Sequence, residues 1–480
     1  LPRAGLPRLP WSCYSLLMSG QKPSAALTQS LSRRLAAPVD ETARRRAARH
    51  VLDWAGCAVS GLNSEAGRAA ARAFAHDGSG SCAGAAGTGR LDALSAALVN
   101  GSLGNVLEMD DVDKRAILHP GPSVVPAALA AAQDAGADAS RLLDAVVRGY
   151  EAVIRLGRAV GPGHYAFWHN TGTCGPLGAA AAAASVFGLD EDATAHALAL
   201  AVTQASGFWQ TRHEPASMAK QLHTARAAHA GLAAALLARE GFKGPLTVIE
   251  GEQGFFAATC PGGDPRAIMA DPDADWRLFE VSFKPWPACR HAHAAIDAAL
   301  ELKPRAPDAD EIEAIGIETY ADAVKFCDRV RPGRVIEAKF SLQHAVASAL
   351  LNGAPDLSHF QPDAFEAPAA RALQAKAHVT AAERFDRVYP ARYGAGVTIT
   401  LKGGERLQAQ APDALGDPEN PLTEDRLIAK ARMLCEAGGF SPAQSDALIA
   451  GVLDLSAGGR LDAFTAALAA RPADKREAAA

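Results

Sequence analysis

The sequence predicts a mainly α-helical fold: a large all-helical domain built from both chain ends, with a smaller α+β lid domain inserted. Three observations carry that expectation. Alanine runs (Ala179–Ala184, Ala233–Ala235) and a 6% aromatic content favour helix over sheet. From about Leu27 to Ala270, apolar residues recur at helical spacing and run after run closes on glycine. Near residue 271 the pattern turns strand-like, and helical patterning returns from Leu422 to the end. The boundaries read this way are 18–270 for the helical domain, 271–412 for the α+β lid and 413–480 for helices rejoining the first domain. Residues 1–17, "LPRAGLPRLPWSCYSLL", precede Met18 and read as an upstream or cloning-derived extension, since they lack a continuous apolar core and a clear cleavage site.

Taken in order, "DETARRRAARHVLDWAGCAVSG" places apolar residues on one face and stops at Gly61. "DALSAALVNGSLGNVLEMDD" reads as two helices divided at Asn100-Gly101. Residues 140–160 form an amphipathic helix ended by the Gly-Pro-Gly at 161–163. "TGTCGPLGAAAAAASVFG" leads into a nearly all-alanine helix that must be buried on most sides. "DEDATAHALALAVTQASG" repeats the grammar of helix then glycine. In the lid, "DWRLFEVSFKPW", "IEAIGIETYAD" and "RVYPARYGAGVTITLKGGERLQAQ" read as strands, the last with a Gly-Gly hairpin turn. Helices over "HAHAAIDAALEL" and "FSLQHAVASALLNG" lie between them.

Composition excludes several classes of function. A net charge of −5 with no basic stripe argues against nucleic acid as a partner. No 18-residue apolar run free of charge is present, so no membrane span is expected. The eight cysteines form no CxxC pair, which argues against a zinc ribbon or iron–sulfur cluster and suits a reducing cytoplasm. No dinucleotide fingerprint, phosphate-binding loop or nucleophile elbow occurs. Cofactor-free acid–base chemistry is what remains.

Five stretches could carry it. "EMDDVDKRAILHPG" sets Glu108, Asp110 and Asp111 where a helix gives way to a loop, with His119 fixed ahead of a proline. A carboxylate mixed into an apolar run acquires a raised pKa and, beside an imidazole, can share proton transfer. "GPGHYAFWHNTGTCG" brings His164, Tyr165 and His169 to a helix start, where free N–H groups with Thr171 and Thr173 suit a carboxylate. In "MAKQLHTARAAHAG", Lys220 and His223 share one helix face. "SFKPWPACRHAHAAID" offers Lys284, Arg290, His291 and His293, without the carboxylate or cysteine set a metal would want; nothing marks Cys289 as a nucleophile. "EAKFSLQHAVASALLNG" opens with Ser341, which capping explains. These stretches are cationic inside an acidic chain, a contrast suited to a small, multiply negative substrate such as a di- or tricarboxylate.

Together, in this order, the five motifs resemble the MmgE/PrpD family over about residues 25 to 460. The resemblance implies a helical domain with a smaller α+β lid, a homodimer, and proton or CO2 removal next to a carboxylate without metal or other cofactor. It puts family roles on Glu108, Asp111, His119, Tyr165, His169, Lys220 and His293, with His291 possible; the catalytic candidates are then Glu108, Asp111, His119, Tyr165, His169 and Lys220, and the substrate contacts, read from residue type and position, are Thr171, Thr173, His223, Lys284, Arg290, His291 and His293. The activity expected is that of a hydro-lyase like 2-methylcitrate dehydratase. An epimerase of the iminodisuccinate type and a decarboxylase are alternatives, as is a carboxylate-binding protein without turnover. The chain departs from the family pattern at Asn105, Glu108 and Val112, where histidine, aspartate and, in the decarboxylases, threonine are usual.

Overall fold

The computed structural model describes residues 25–74, 78–214, 216–305 and 308–472; the extension expected over 1–17 lies outside them. The fold is mainly α. Thirteen helices matter below: α1 (Leu27–Leu35), α2 (Glu41–Gly61), α3 (Ala93–Asn105), α4 (Gly121–Ala135), α5 (Ala139–Ala159), α6 (Asn170–Phe187), α7 (Glu191–Val202), α8 (Ala219–Arg239), α9 (His293–Leu302), α10 (Leu342–Asn352), α11 (Glu424–Ala437), α12 (Pro442–Leu453) and α13 (Leu461–Leu468). Several start as the sequence dictates: Asp40, Asp138 and Asp190 each accept a hydrogen bond from the backbone N–H three residues on.

Two apolar cores organise these elements. The first gathers side chains from Leu31 to Phe283 and resumes with Leu427 to Leu468, so the last helices pack against the first ones. The second runs from Trp286 to Ala414. At the centre of the first core lies α6, packed against α5, α8 and α4. Its alanines 179–184 are all at most 2% exposed, because only methyl-sized side chains fit between helices this close. Gly231 of α8 makes the same point: a Cβ there would sit 2.4 Å from both the Ala179 Cβ and the Pro176 carbonyl oxygen.

The second core backs a four-stranded sheet of order β4-β3-β5-β6, from β3 (Ile312–Thr319), β4 (Ala377–Ala381), β5 (Ala395–Leu401) and β6 (Arg406–Ala411). β5 and β6 form the expected hairpin across Gly403 and Gly404. β4, which carries no distinct sequence signal, joins β3 in parallel with Ile315 opposite Ala377. A second unforeseen feature is the small hairpin of β1 (Cys82–Gly84) and β2 (Gly89–Leu91).

Two local expectations are corrected. Helix α3 runs unbroken through Asn100-Gly101. The Asn100 amide accepts from the Ala85 N–H and donates to the Ala83 carbonyl, both at 3.0 Å, while Gly101 admits the Ala225 Cα and the Pro122 carbonyl at 3.1 Å from where a Cβ would be. The stretch "DWRLFEVSFKPW" is a short 3-10 turn (Arg277–Glu280) with one isolated bridge, Ser282 to Val112. Its polar backbone is taken by side chains: Arg46 donates to the Val281 carbonyl at 2.7 Å, and the Arg277 N–H donates to Glu151 at 2.7 Å. No helix among the described residues is long and apolar enough to cross a membrane.

Candidate active site

The loop leaving α3 is the centre of the site. Asn105 ends the helix and its amide donates to Asp110 Oδ2 at 2.8 Å. Glu108 follows with φ 57°, a left-handed conformation that costs a glutamate about 1 kcal/mol and persists only where surroundings enforce it. Here they do. The Glu108 carboxylate is ion-paired with Lys220 of α8 and lies 3.8 Å from Lys284. Burial pushes the Glu108 carboxyl up, but Lys220, Lys284 and His119 outweigh it and hold it below its ordinary value.

Asp110 and Asp111 face different ways and do different work. Asp110 Oδ2 is 2.9 Å from His119 Nδ1, leaving Nε2 as the imidazole's free edge. Burial opposes the Asp110 charge, yet His119 and Lys284 keep the carboxyl well below the usual range. Asp111 turns into the helical core, where it accepts from the Tyr150 hydroxyl and pairs with His50 Nδ1, both at 2.6 Å, and takes the Gly121 N–H at 2.9 Å. Burial pushes this carboxyl up and the His50 imidazole down. Asp111 therefore fixes the start of α4 beside His119 rather than facing a ligand. Asp113 and Lys114 in the same charged run pin the loop: Asp113 pairs with Arg158 at 2.5 Å, and Lys114 with Glu419 at 2.7 Å.

Three lysines converge on Glu108. Lys284 is fully buried, and its ammonium has no hydrogen-bond acceptor. It arrives on the segment joining the two cores, held by the Ser282–Val112 bridge and by the Phe283 N–H donating to Gly416 at 3.0 Å. Lys339 comes from just ahead of α10 and donates to the Leu107 carbonyl at 2.6 Å. Burial lowers its ammonium to about 8, partly offset by Glu108. Buried cations without their own acceptor are costly, and an anionic ligand would supply one.

Aromatic groups form the next wall. His169 stands at the start of α6, tilted against Trp209 with ring centres 4.5 Å apart, and meets His223 at 3.3 Å between Nδ1 atoms. Burial lowers both imidazoles, His223 to about 4, so both are neutral at pH 7. Half-buried Tyr165 lies edge-on to Trp209; burial pushes its phenol up to about 12 and keeps the proton on. On the lid side, His291 Nδ1 meets the Tyr320 hydroxyl at 2.6 Å and stacks on Phe326, with burial lowering it to about 3.

The structure thus brings Glu108, His119, Lys220 and Lys284 together, with Tyr165, His169, His223 and His291 on the flanking walls. Thr171 serves indirectly, accepting the His119 N–H at 3.0 Å. The others are engaged elsewhere. The Thr173 hydroxyl is held by His164 Nε2 at 2.8 Å, Arg290 pairs with Asp417 at 2.5 Å, and His293 is fully buried with Nε2 donating to the Ala288 carbonyl at 3.1 Å. A hydrogen bond from Cys327 holds the Cys289 thiol below its ordinary value, a pairing that no motif announces.

Family models match both parts of the chain. The MmgE/PrpD N-terminal domain model matches residues 27–268, and the MmgE/PrpD C-terminal domain model matches residues 286–455. The chain belongs to the MmgE/PrpD family. A cis-aconitate decarboxylase-like protein of Aspergillus oryzae is 28% identical over 421 residues, covering 82% of this chain and 86% of that one. The human cis-aconitate decarboxylase is 26% identical over 72% of this chain and 73% of its own. The mitochondrial 2-methylcitrate dehydratase of Yarrowia lipolytica is 26% identical over 48% of this chain and 46% of its own.

Among the residues gathered here, motif reading missed Asp110 as the partner of His119, and Lys339, His50 and Tyr150 altogether. Lys339 stood two residues ahead of a quoted Ser341 and could have been found as a cation opening an apolar helix. His50 and Tyr150 lie on α2 and α5, far from the motif in sequence, and only the fold brings them to Asp111.

Proposed function

We propose that the chain is a lyase acting by acid–base chemistry on a small di- or tricarboxylate, working as a hydro-lyase of the 2-methylcitrate dehydratase kind. The observation that carries this is the Asp110–His119 pair set beside a buried Glu108 with Lys220 and Lys284. A carboxylate-held imidazole with one free nitrogen is a general base suited to a carbon next to a carboxylate. As the proton leaves, charge moves onto that carboxylate, and Lys284 and Lys220 are placed to take it up in a site with little water. Tyr165 keeps its proton at neutral pH and can give it to the departing hydroxyl. The reading includes no cofactor, a homodimer as the family resemblance implies, and a reducing cytoplasm as the unpaired cysteines suggest.

Decarboxylation is the second reading, and the names of the Aspergillus and human relatives favour it. There the same cations would hold the carboxylates that stay, and His119 or Tyr165 would protonate the carbanion left by CO2. Proton NMR in heavy water with 2-methylcitrate, citrate and cis-aconitate separates the readings. Alkene formation from a hydroxy acid is the expected result. CO2 release from cis-aconitate would replace the hydro-lyase by a decarboxylase, and deuterium uptake without net conversion would indicate an epimerase. No exchange and no turnover with any acid would overturn acid–base catalysis.

A further inference from the structure

We infer that Arg212 is a substrate-binding residue that holds a carboxylate remote from the reacting carbon and so selects tricarboxylates over dicarboxylates. The inference deepens the proposed function and rests on it for the nature of the ligand. Arg212 stands on a short 3-10 turn (Trp209–His213) between α7 and α8. Its guanidinium carbon lies 3.5 Å from the ring centre of Trp209, 4.7 Å from that of Tyr165 and 4.9 Å from that of Phe326. Two of these rings belong to the helical side and one to the lid, so the group spans the cleft between the two cores.

The rings packed on Arg212 are uncharged, and the Cys289 thiol and Asp322 reach it only through space. His169 and His291 flank it within electrostatic reach, and burial keeps both imidazoles uncharged at pH 7. Tyr165 accepts a hydrogen bond from it but brings no charge, because that phenol stays protonated. Asp322 acts on it only through space, and Arg212 makes no ion pair among the described residues. Buried Arg155 and Arg290 pair with Glu151 and Asp417, whereas half-buried Arg212 has aromatic rings in place of a carboxylate. Aromatic faces orient a guanidinium and remove water from it without neutralising it, leaving the N–H edge to take an anion in two parallel hydrogen bonds. That anion belongs to a ligand in the cleft, because Tyr165 and His169 line the same space as Lys220 and Glu108.

A carboxylate at Lys220 and Lys284 and another at Arg212 would be two separate grips on one molecule. A succinate-type dicarboxylate places one group beside the reacting carbon, at the lysines, and the other on the very next carbon, and has no remote group left for Arg212. A tricarboxylate has.

Titration calorimetry tests this without requiring turnover. The probes are tricarballylate, a saturated tricarboxylate, and methylsuccinate, the same skeleton lacking one terminal carboxylate. The wild-type protein is expected to bind tricarballylate about 10- to 100-fold more tightly, the range lost with one charged hydrogen-bonding partner. Arg212→Gln should erase that margin while leaving methylsuccinate binding unchanged. Arg212→Lys should keep part of it, since the charge stays and the fork is lost. Equal binding of the two probes by wild type, an unaltered margin in Arg212→Gln, or equal weakening for both probes with a lowered thermal midpoint would each overturn the assignment. The two readings fail separately. Lost discrimination in Arg212→Gln with no acid ever turned over would leave Arg212 standing and remove the catalytic reading. Turnover of a tricarboxylate with kcat/KM unchanged in Arg212→Gln would do the reverse.

Discussion

His119 depends on Asp110 for its orientation, and Asp110 depends on Asn105. Asp110→Asn should therefore lower kcat by about 10²–10⁴, the usual worth of a positioned general base, with KM moving much less. Steady-state kinetics on whichever acid turns over decides it; a fall confined to KM would make Asp110 a binding group. Lys339 gives a pH prediction. Glu108, Lys284, Lys220 and the Cys57 thiol act on it, and burial sets its ammonium at about 8. If the cation is needed, kcat should fall as pH rises through about 8, and Lys339→Arg should move that limb upward. Stability should move oppositely. The folded ammonium titrates below its unfolded value near 10.4, so the unfolded chain binds more protons between the two and stability rises over that window. At this scale the motifs exposed Glu108, His119, Lys220 and Lys284, because each sits in a stretch whose polarity conflicts with its apolar neighbours. Arg212 and Lys339 stayed hidden, since the rings around Arg212 and the Leu107 carbonyl that takes Lys339 are brought to them only by the fold.

At the scale of elements, helices were legible wherever an aspartate or serine cap met an apolar period, as in α2, α5 and α7. The alanine-rich α6 was legible as buried, though the reason for its composition is the closeness of α8. Gly231→Ala should cost about 1–3 kcal/mol, because the added methyl meets the Pro176 carbonyl, which has no side-chain freedom to move aside. Gly316 of β3 is the contrast. A Cβ there finds nothing nearer than 3.9 Å, so Gly316→Ala should be neutral or stabilising by up to about 1 kcal/mol through the unfolded chain. Urea midpoints of the two variants should move in different directions; equal losses would mean that helix spacing does not explain the glycine. Strand reading succeeded for β3, β5 and β6, whose apolar residues alternate. It failed over 277–284, where Arg46 and Glu151, more than a hundred residues away, take the backbone groups a ladder would have used.

Over the whole molecule, the return of the chain's end to the first core ties fold to site. Helix α11 lies along α2, and Lys430 projects inward to donate at 2.5 Å both to Asp53 and to the Met109 carbonyl, between Glu108 and Asp110. The sequence showed helices after Leu422 but not which buried group they would carry. Lys430→Met should destabilise the protein by about 3–5 kcal/mol, because Asp53 would be left buried without its cation. Burial already raises the Asp53 carboxyl to about 6 with Lys430 present, and removing the lysine raises it further. A folded pKa above the unfolded value near 3.9 means that protonation favours the folded state, so the deficit should shrink as pH falls. Thermal midpoints at pH 8 and pH 5 check this: the gap between Lys430→Met and wild type should be larger at pH 8. The double variant Asp53→Leu with Lys430→Met, which removes both charges, should regain much of the loss at either pH. Activity should not return with it, since the Met109 carbonyl loses its donor and the Glu108–Asp110 turn loses its support. A double variant with wild-type kcat would separate the chain's end from the site.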